Sequence, residues 1–182
     1  MSNDETVRIV AYDPEWPDRF VTERSVLVSA IAEWLAGPIE HIGSTAIPGL
    51  AAKPVIDIMA GVTSLEDARA ALPVLERLQY CYAPYRTEVM HWLCKPSPAL
   101  RTHHLHLVPV GSQLWTEQLA FRDYLLTHRD VALEYAELKR RLADTYRFDR
   151  EAYTVAKTPF VQRVIAEALR GRSTVPAQDR RP

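Results

Sequence analysis

The sequence predicts an α+β domain, and three observations lead there. Strand-like segments crowd into the first 110 residues, while the pattern from Ser112 to about Leu169 is helical. No repeat, low-complexity block or interdomain linker interrupts the chain. The 182 residues are 47% hydrophobic and 25% charged, which suits one ordinary domain with room for a core. We therefore expect residues 1–170 to form a single domain and residues 171–182, rich in charges and turn formers, to form a flexible tail.

The elements follow in order. Val7-Arg8-Ile9-Val10-Ala11-Tyr12 alternates and reads as a short strand. Asp13-Pro14-Glu15-Trp16-Pro17 is a turn into a helix, with Phe20, Leu27, Ile31, Trp34 and Leu35 at helical spacing and Gly37-Pro38 as its stop. Ile39-Glu40-His41-Ile42 and Val55-Ile56-Asp57-Ile58-Met59 read as strands, joined through the small-residue loop Gly43-Ser44-Thr45-Ala46-Ile47-Pro48-Gly49. Ser64-Leu65-Glu66-Asp67 resembles a capping box with Asp in the third place, opening a helix to Leu78 that Pro73 should kink or split. Residues 80–95 suggest one or two strands, Pro96-Ser97-Pro98 breaks them, and residues 102–108 are β-like. The helical half should break near His128–Asp130 and Phe148–Asp149, and Pro159 should disturb its last helix.

Composition and missing motifs exclude several functions. Lys and Arg number 22 against 23 Asp and Glu, a net charge of −1, which argues against a general nucleic-acid binder. G-x-G-x-x-G, G-x-x-x-x-G-K-[ST] and G-x-S-x-G are all absent. The two cysteines, Cys81 and Cys94, form no C-x-x-C pair and do not resemble a secreted disulfide framework. The acidic start lacks a signal-peptide pattern and no long apolar run spans a membrane, so a cytoplasmic protein with no membrane partner is expected.

Four groups of residues could carry chemistry. Gly43-Ser44-Thr45 at a strand end could bring backbone N–H groups and hydroxyls to a phosphate, with Lys53 adding charge; an ordinary turn with a helix cap reads equally from the spacing. Asp57, between Ile56 and Ile58, needs a cation, a metal or hydrogen-bond donors if buried, and backbone N–H groups at a strand end would serve. His104 and His106 share one strand face and could hold a divalent metal with a third ligand, or could be hydrogen-bonded in a polar cleft; His103 faces the other way. Tyr153 and Lys157, four apart on a helix, could cover a phosphate-bearing ligand together with Arg122, or be a core Tyr with a solvated Lys. Lys139-Arg140-Arg141 points three ways around a helix and reads as a surface charge run, while His41, His91 and His128 read as structural or surface residues.

Taken together, these residues resemble the GrpB family. The resemblance rests on Tyr12-Asp13-Pro14-Glu15-Trp16-Pro17, on Ile39 to Leu50, on Lys53-Pro54-Val55-Ile56-Asp57-Ile58, on Thr102 to Val108, and on Phe121-Arg122-Asp123-Tyr124-Leu125, with Tyr153, Ala156 and Lys157 closing it. It runs from about Val7 to about Leu169. It implies a nucleotidyltransferase-like fold, a small mixed β-sheet flanked by helices with a helical C-terminal part; a related domain occurs fused to dephospho-CoA kinase in some bacteria. The implied function is a metal-dependent transfer from a nucleoside triphosphate to a small-molecule acceptor.

In that reading Gly43, Ser44, Thr45 and Lys53 hold the triphosphate. Asp57, His104 and His106 hold Mg²⁺ or Mn²⁺, with Zn²⁺ an alternative, and Arg122 and Lys157 join Asp57 as catalytic charge clamps. One departure stands out: the second carboxylate of the nucleotidyltransferase pattern is replaced by Met59, which cannot ligate Mg²⁺. A noncatalytic nucleotide- or CoA-like ligand-binding module and an Asp/His metal hydrolase are therefore the competing readings. Oligomeric state is not set by the sequence.

Overall fold

A computed structural model describes residues 6–173. Its centre is a five-stranded sheet in the order β1-β2-β5-β4-β3, built from β1 (Leu35–Ile42), β2 (Ile56–Val62), β3 (Cys81–Tyr82), β4 (His91–Pro96) and β5 (Arg101–Pro109). β2 and β5 run parallel; every other neighbouring pair is antiparallel. Among the described residues seven α-helices surround it: α1 (Trp16–Ile31), α2 (Leu65–Ala68), α3 (Leu72–Arg77), α4 (Gln113–Thr127), α5 (Arg129–Thr145), α6 (Arg150–Ala156) and α7 (Thr158–Ser173).

Alternation along the strands assigns the two faces. Ile56, Ile58, Ala60 and Val62 of β2, with Leu105 and Leu107 of β5, pack against Trp16, Phe20, Leu27 and Ile31 on one stripe of α1, and against Ala68 and Leu75 of α2 and α3. The opposite face presents Met59 and Val108 to Leu114 and Trp115 of α4. A second apolar centre, Ile47, Leu50, Phe121, Leu125, Tyr135, Phe160 and Val164, binds α4, α5 and α7 to the loop before β2. That contact carries the helical half to the sheet end where Asp57 and His104 begin their strands.

Local chemistry explains most boundaries. Pro17 opens α1, and the Ser64 hydroxyl accepts from Asp67 N–H at 3.1 Å, the N-cap half of the expected capping box, while donating to the Asp67 carboxylate at 2.7 Å. Pro73 splits the following helix, with a 3₁₀ turn at Arg69–Ala71 between α2 and α3. His128 and residues 146–149 break the helical half at the expected places. Pro159 begins a helix rather than disturbing one, because the break falls at Lys157 and Pro159 sits in the first turn of α7.

Three expectations change. Residues 7–12 form no strand of the sheet; they make one bridge, Val10 to Ala52, and a bond from Val7 N–H to Arg147 O. Their alternation reflects Val7 packing beside Ala143 and Tyr153, not a ladder. The first helix ends at Ile31, and Gly37-Pro38 lies within β1 instead of stopping a helix. A Cβ at Gly37 would stand 2.7 Å from Val110 Cγ2, and an edge strand tolerates the missing N–H of Pro38. Finally, α7 runs to Ser173, so the first residues of the expected tail are helical; residues 174–182 lie outside the described residues. Among the described residues no helix is long and apolar enough to cross a membrane.

Candidate functional site

The site begins where β1 ends. Gly43 has φ +71°, a conformation glycine adopts without strain. A Cβ there would fall on the Asp57 carboxylate, 3.0 Å from its Cγ and in collision with Oδ2. The expected role of Gly43, close backbone approach, is thus met by the protein's own carboxylate. Thr45 turns inward instead of toward a ligand. Its buried hydroxyl donates to Val55 O at 3.3 Å and accepts from His41 Nε2 at 3.0 Å, pinning the loop to the start of β2. His41 also stacks on Phe20 at 4.6 Å; burial, helped by Arg122 and opposed by Asp57, holds its pKa down at about 4. Ser44 is the hydroxyl left at the mouth, near the Tyr135 phenol.

Sheet register then sets the floor. Ile42, Asp57, His104 and Cys94 form one cross-strand row, and Glu40, Met59, His106 and Trp92 form the next. His104 Nδ1 donates to Asp57 Oδ1 at 2.8 Å, while its Nε2 is buried without a hydrogen-bond partner. The Trp92 ring tilts against His104 at 5.0 Å. Burial raises the Asp57 carboxyl, but the His104 bond and charge, with His106 and Lys157, more than offset this and hold it below the usual carboxylate range. His106 lies one row along, its Nδ1 3.3 Å from Met90 Sδ, and burial lowers its pKa to about 4. His103 points to the other face, as alternation requires; its partner is Thr102, at 2.9 Å.

The walls are cationic. Lys53 and Lys157 place their ammonium groups 4.8 and 4.4 Å from the centre of the Tyr153 ring. Lys139 sits 4.5 Å from the Tyr135 ring and donates to Ala51 O at 2.7 Å. The Asp57 charge acts on all three lysines. Burial first, then neighbouring cations, depresses Lys53 and Lys139 to about 7; burial, opposed by Asp57, brings Lys157 to about 8. The surface charge run is corrected here. Arg140 and Arg141 are exposed, but Lys139 is buried at 2% exposure because it lies on the stripe Ala132, Tyr135, Ala136, Lys139, Ala143 of α5. The signal was present in the sequence: Tyr135 and Lys139 repeat the four-residue spacing of Tyr153 and Lys157.

Arg122 does not join this group. Its guanidinium is committed to Glu40 at 2.6 Å, to Asp123 at 2.8 Å and to His41 O at 3.2 Å, so it latches α4 to β1. His91, bonded to Leu65 O at 2.7 Å, and His128, stacked on Tyr124, are structural as expected.

The expected metal ligands do not assemble. Asp57 and His104 bond each other, His106 is turned to Met90, and among the described residues no three His, Cys, Asp or Glu side chains group as a metal ion requires. Met59 is fully buried in the place of a second carboxylate, and the Asp57 carboxylate lies in the field of Lys53, Lys139 and Lys157. This donor set does not fit a resident divalent ion.

A Gly-Ser turn after one core strand, a carboxylate on the next, and helices packed over that end of a mixed five-stranded sheet define a nucleotidyltransferase-like α+β fold. The chain belongs to the GrpB family, whose GrpB protein description matches residues 6–167. It is 38% identical over 172 residues to a UPF0157 protein of Pseudomonas aeruginosa, covering 92% of this chain and 70% of that one. The glutamate-rich protein GrpB of Alkalihalophilus pseudofirmus is 35% identical over 170 residues, covering 88% and 95%. A dephospho-CoA kinase of Mycolicibacterium paratuberculosis is 31% identical over 179 residues, which cover 85% of this chain but 44% of the kinase. The crystal structure of GrpB from Enterococcus faecalis superposes with a TM-score of 0.83 at 32% identity, covering 91% and 99%. A structure of a GLD-2/RNP-8 complex shares the fold with a TM-score of 0.56 at 14% identity, covering 83% of this chain and 60% of that one.

Proposed function

We propose that this protein binds a nucleotide or CoA-like small molecule through its phosphates, held between the Gly43–Ser44 turn and the ammonium groups of Lys53 and Lys157. One observation carries the reading: Lys53 and Lys157 both place their ammonium groups within 5 Å of the Tyr153 ring centre, and the Asp57 charge acts on both of them and on Lys139. Such an excess of partly desolvated positive charge is costly until an anion completes it. Phosphate oxygens supply that charge, and ammonium groups bind them as point charges. Lys139, tied to Ala51 O, positions the loop that carries Lys53. The test is calorimetric titration with ATP, with CoA as competitor. Lys53→Met and Lys157→Met keep the side-chain stems and should each weaken binding by about tenfold or more, the scale of one charge-assisted bond. Equal affinity in all three proteins would remove the reading.

The Asp57–His104 pair supports a catalytic use of the same recess. His104 gives Nδ1 to the carboxylate and keeps a partnerless Nε2, the arrangement of an imidazole oriented to take a proton from an acceptor hydroxyl. Nucleotidyl transfer to a small molecule would use it. His104→Gln should then abolish pyrophosphate release while leaving ATP affinity in place; release at the wild-type rate would reject the catalytic use.

A further inference from the structure

We infer that the recess takes its phosphate ligand without a divalent ion, with Lys53 and Lys157, both held against the Tyr153 ring, doing the charge screening a metal would do. The inference rests on the phosphate-binding reading above and goes past it to the ionic form of the ligand: the free polyanion, not its Mg²⁺ complex.

Three observations lead to it. The first is the supply of oxygen ligands. Hard cations are held by several oxygens, and this sheet face offers few. Asp57 shares Oδ1 with His104. Glu40, the nearest carboxylate on the same face, is bound to Arg122 at 2.6 Å. Between them stands Met59, opposite Glu40 in the ladder and fully buried, with no oxygen to give. The second is position. An ion seated on Asp57 would stand in the field of Lys53, Lys139 and Lys157, all of which interact with that carboxylate. Like charges oppose each other in a recess partly shielded from water. The third is the hold on the lysines. The Tyr153 ring is buried and receives both ammonium groups within 5 Å of its centre, at 4.8 and 4.4 Å, so the two charges are fixed near each other before any ligand arrives. A polyphosphate with its charges screened by Mg²⁺ would gain little from them, whereas the free polyanion gains from both.

The experiment is titration of the full-length protein with ATP in EDTA and again in excess Mg²⁺, for wild type, Lys157→Met and Asp57→Asn. Wild type should bind at least as tightly in EDTA as in Mg²⁺. Lys157→Met should lose about tenfold or more in EDTA, the scale of one charge-assisted bond. Asp57→Asn keeps the shape and the bond to His104; it should hold or gain affinity in EDTA, because a like charge beside the phosphates is gone. Wild-type binding that vanishes in EDTA and returns with Mg²⁺, and that Asp57→Asn destroys, overturns the inference while leaving a phosphate site standing. Absence of ATP binding in both buffers overturns the phosphate site together with the inference. Circular dichroism and thermal unfolding of each variant separate lost binding from lost fold.

Discussion

Two buried clusters in this protein use the same ingredients, a carboxylate, lysine and tyrosine, in different proportions. On the α1 face, Glu23 accepts from Lys95 at 2.9 and 3.0 Å and from the Tyr80 hydroxyl at 2.9 Å, and the Lys95 ammonium lies 5.3 Å from the Tyr80 ring. One negative charge meets one positive charge, and the donors are used. On the opposite face, Asp57 is bonded to a histidine and lies in the field of three lysines. The first cluster is closed and locks α1 to β4. The second carries positive charge in excess, which is the condition for receiving an anion. The comparison teaches that burial of charge alone does not mark a site; the imbalance does.

The comparison can be broken from either side. The largest expected effect is on the closed cluster: Glu23→Gln leaves Lys95 without its counter-charge and should cost about 3–5 kcal/mol of stability in denaturant unfolding, with ATP affinity unchanged. A loss under about 1 kcal/mol would mean that the pair is no lock. Next comes Gly43→Ala, which pushes a methyl into the Asp57 carboxylate at a left-handed position. It should cost about 2 kcal/mol and abolish ATP binding together, joining the fold and the site in one residue.

Acid should act on the buried histidines. His41 and His106 have folded pKa values of about 4 against 6.5 for the free side chain, so the unfolded chain takes up more protons between those values. Stability present above pH 6.5 should therefore fall as the pH drops to 4, by roughly 3 kcal/mol for each histidine. The lysines act at the other end of the scale. Their folded pKa values of about 7 to 8 lie below the free value of 10.5, so their contribution to stability should rise as pH increases from 7 toward 10.5, while anion affinity falls. Unfolding curves and titrations across this range give both slopes. The smallest effect on the fold should come from Lys157→Met. Removing one surplus charge should raise stability near pH 7 by about 1 kcal/mol, and flatten its rise above pH 7.

The fold was legible where patterns are periodic. Strand alternation put His104 and His106 on one face and His103 on the other, the resemblance brought that face toward Asp57, and the structure pairs Asp57 with His104 directly. Alternation says nothing about hydrogen-bond partners, however, so it could not show that His106 would face Met90 instead of Asp57. Nor could it distinguish residues 7–12, where one side packs on a helix, from a true ladder strand. Arg122 was visible as a cation, but its capture by Glu40 and Asp123 depends on how α4 lands on β1. Lys139 was hidden by reading it with its neighbours in sequence rather than along the buried stripe of α5. Thr45 looked like a ligand-facing hydroxyl because a loop sequence does not reveal which side chains turn inward.

The most direct measurement of the central claim, that surplus lysine charge is completed by a phosphate anion, is a crystal structure of the protein with ATP. Phosphate oxygens should lie within hydrogen-bond distance of both Lys53 Nζ and Lys157 Nζ, beside the Gly43–Ser44 turn, with the Asp57–His104 bond retained. Nucleotide bound elsewhere on the surface, with the two lysines making no contact to it, would contradict the account.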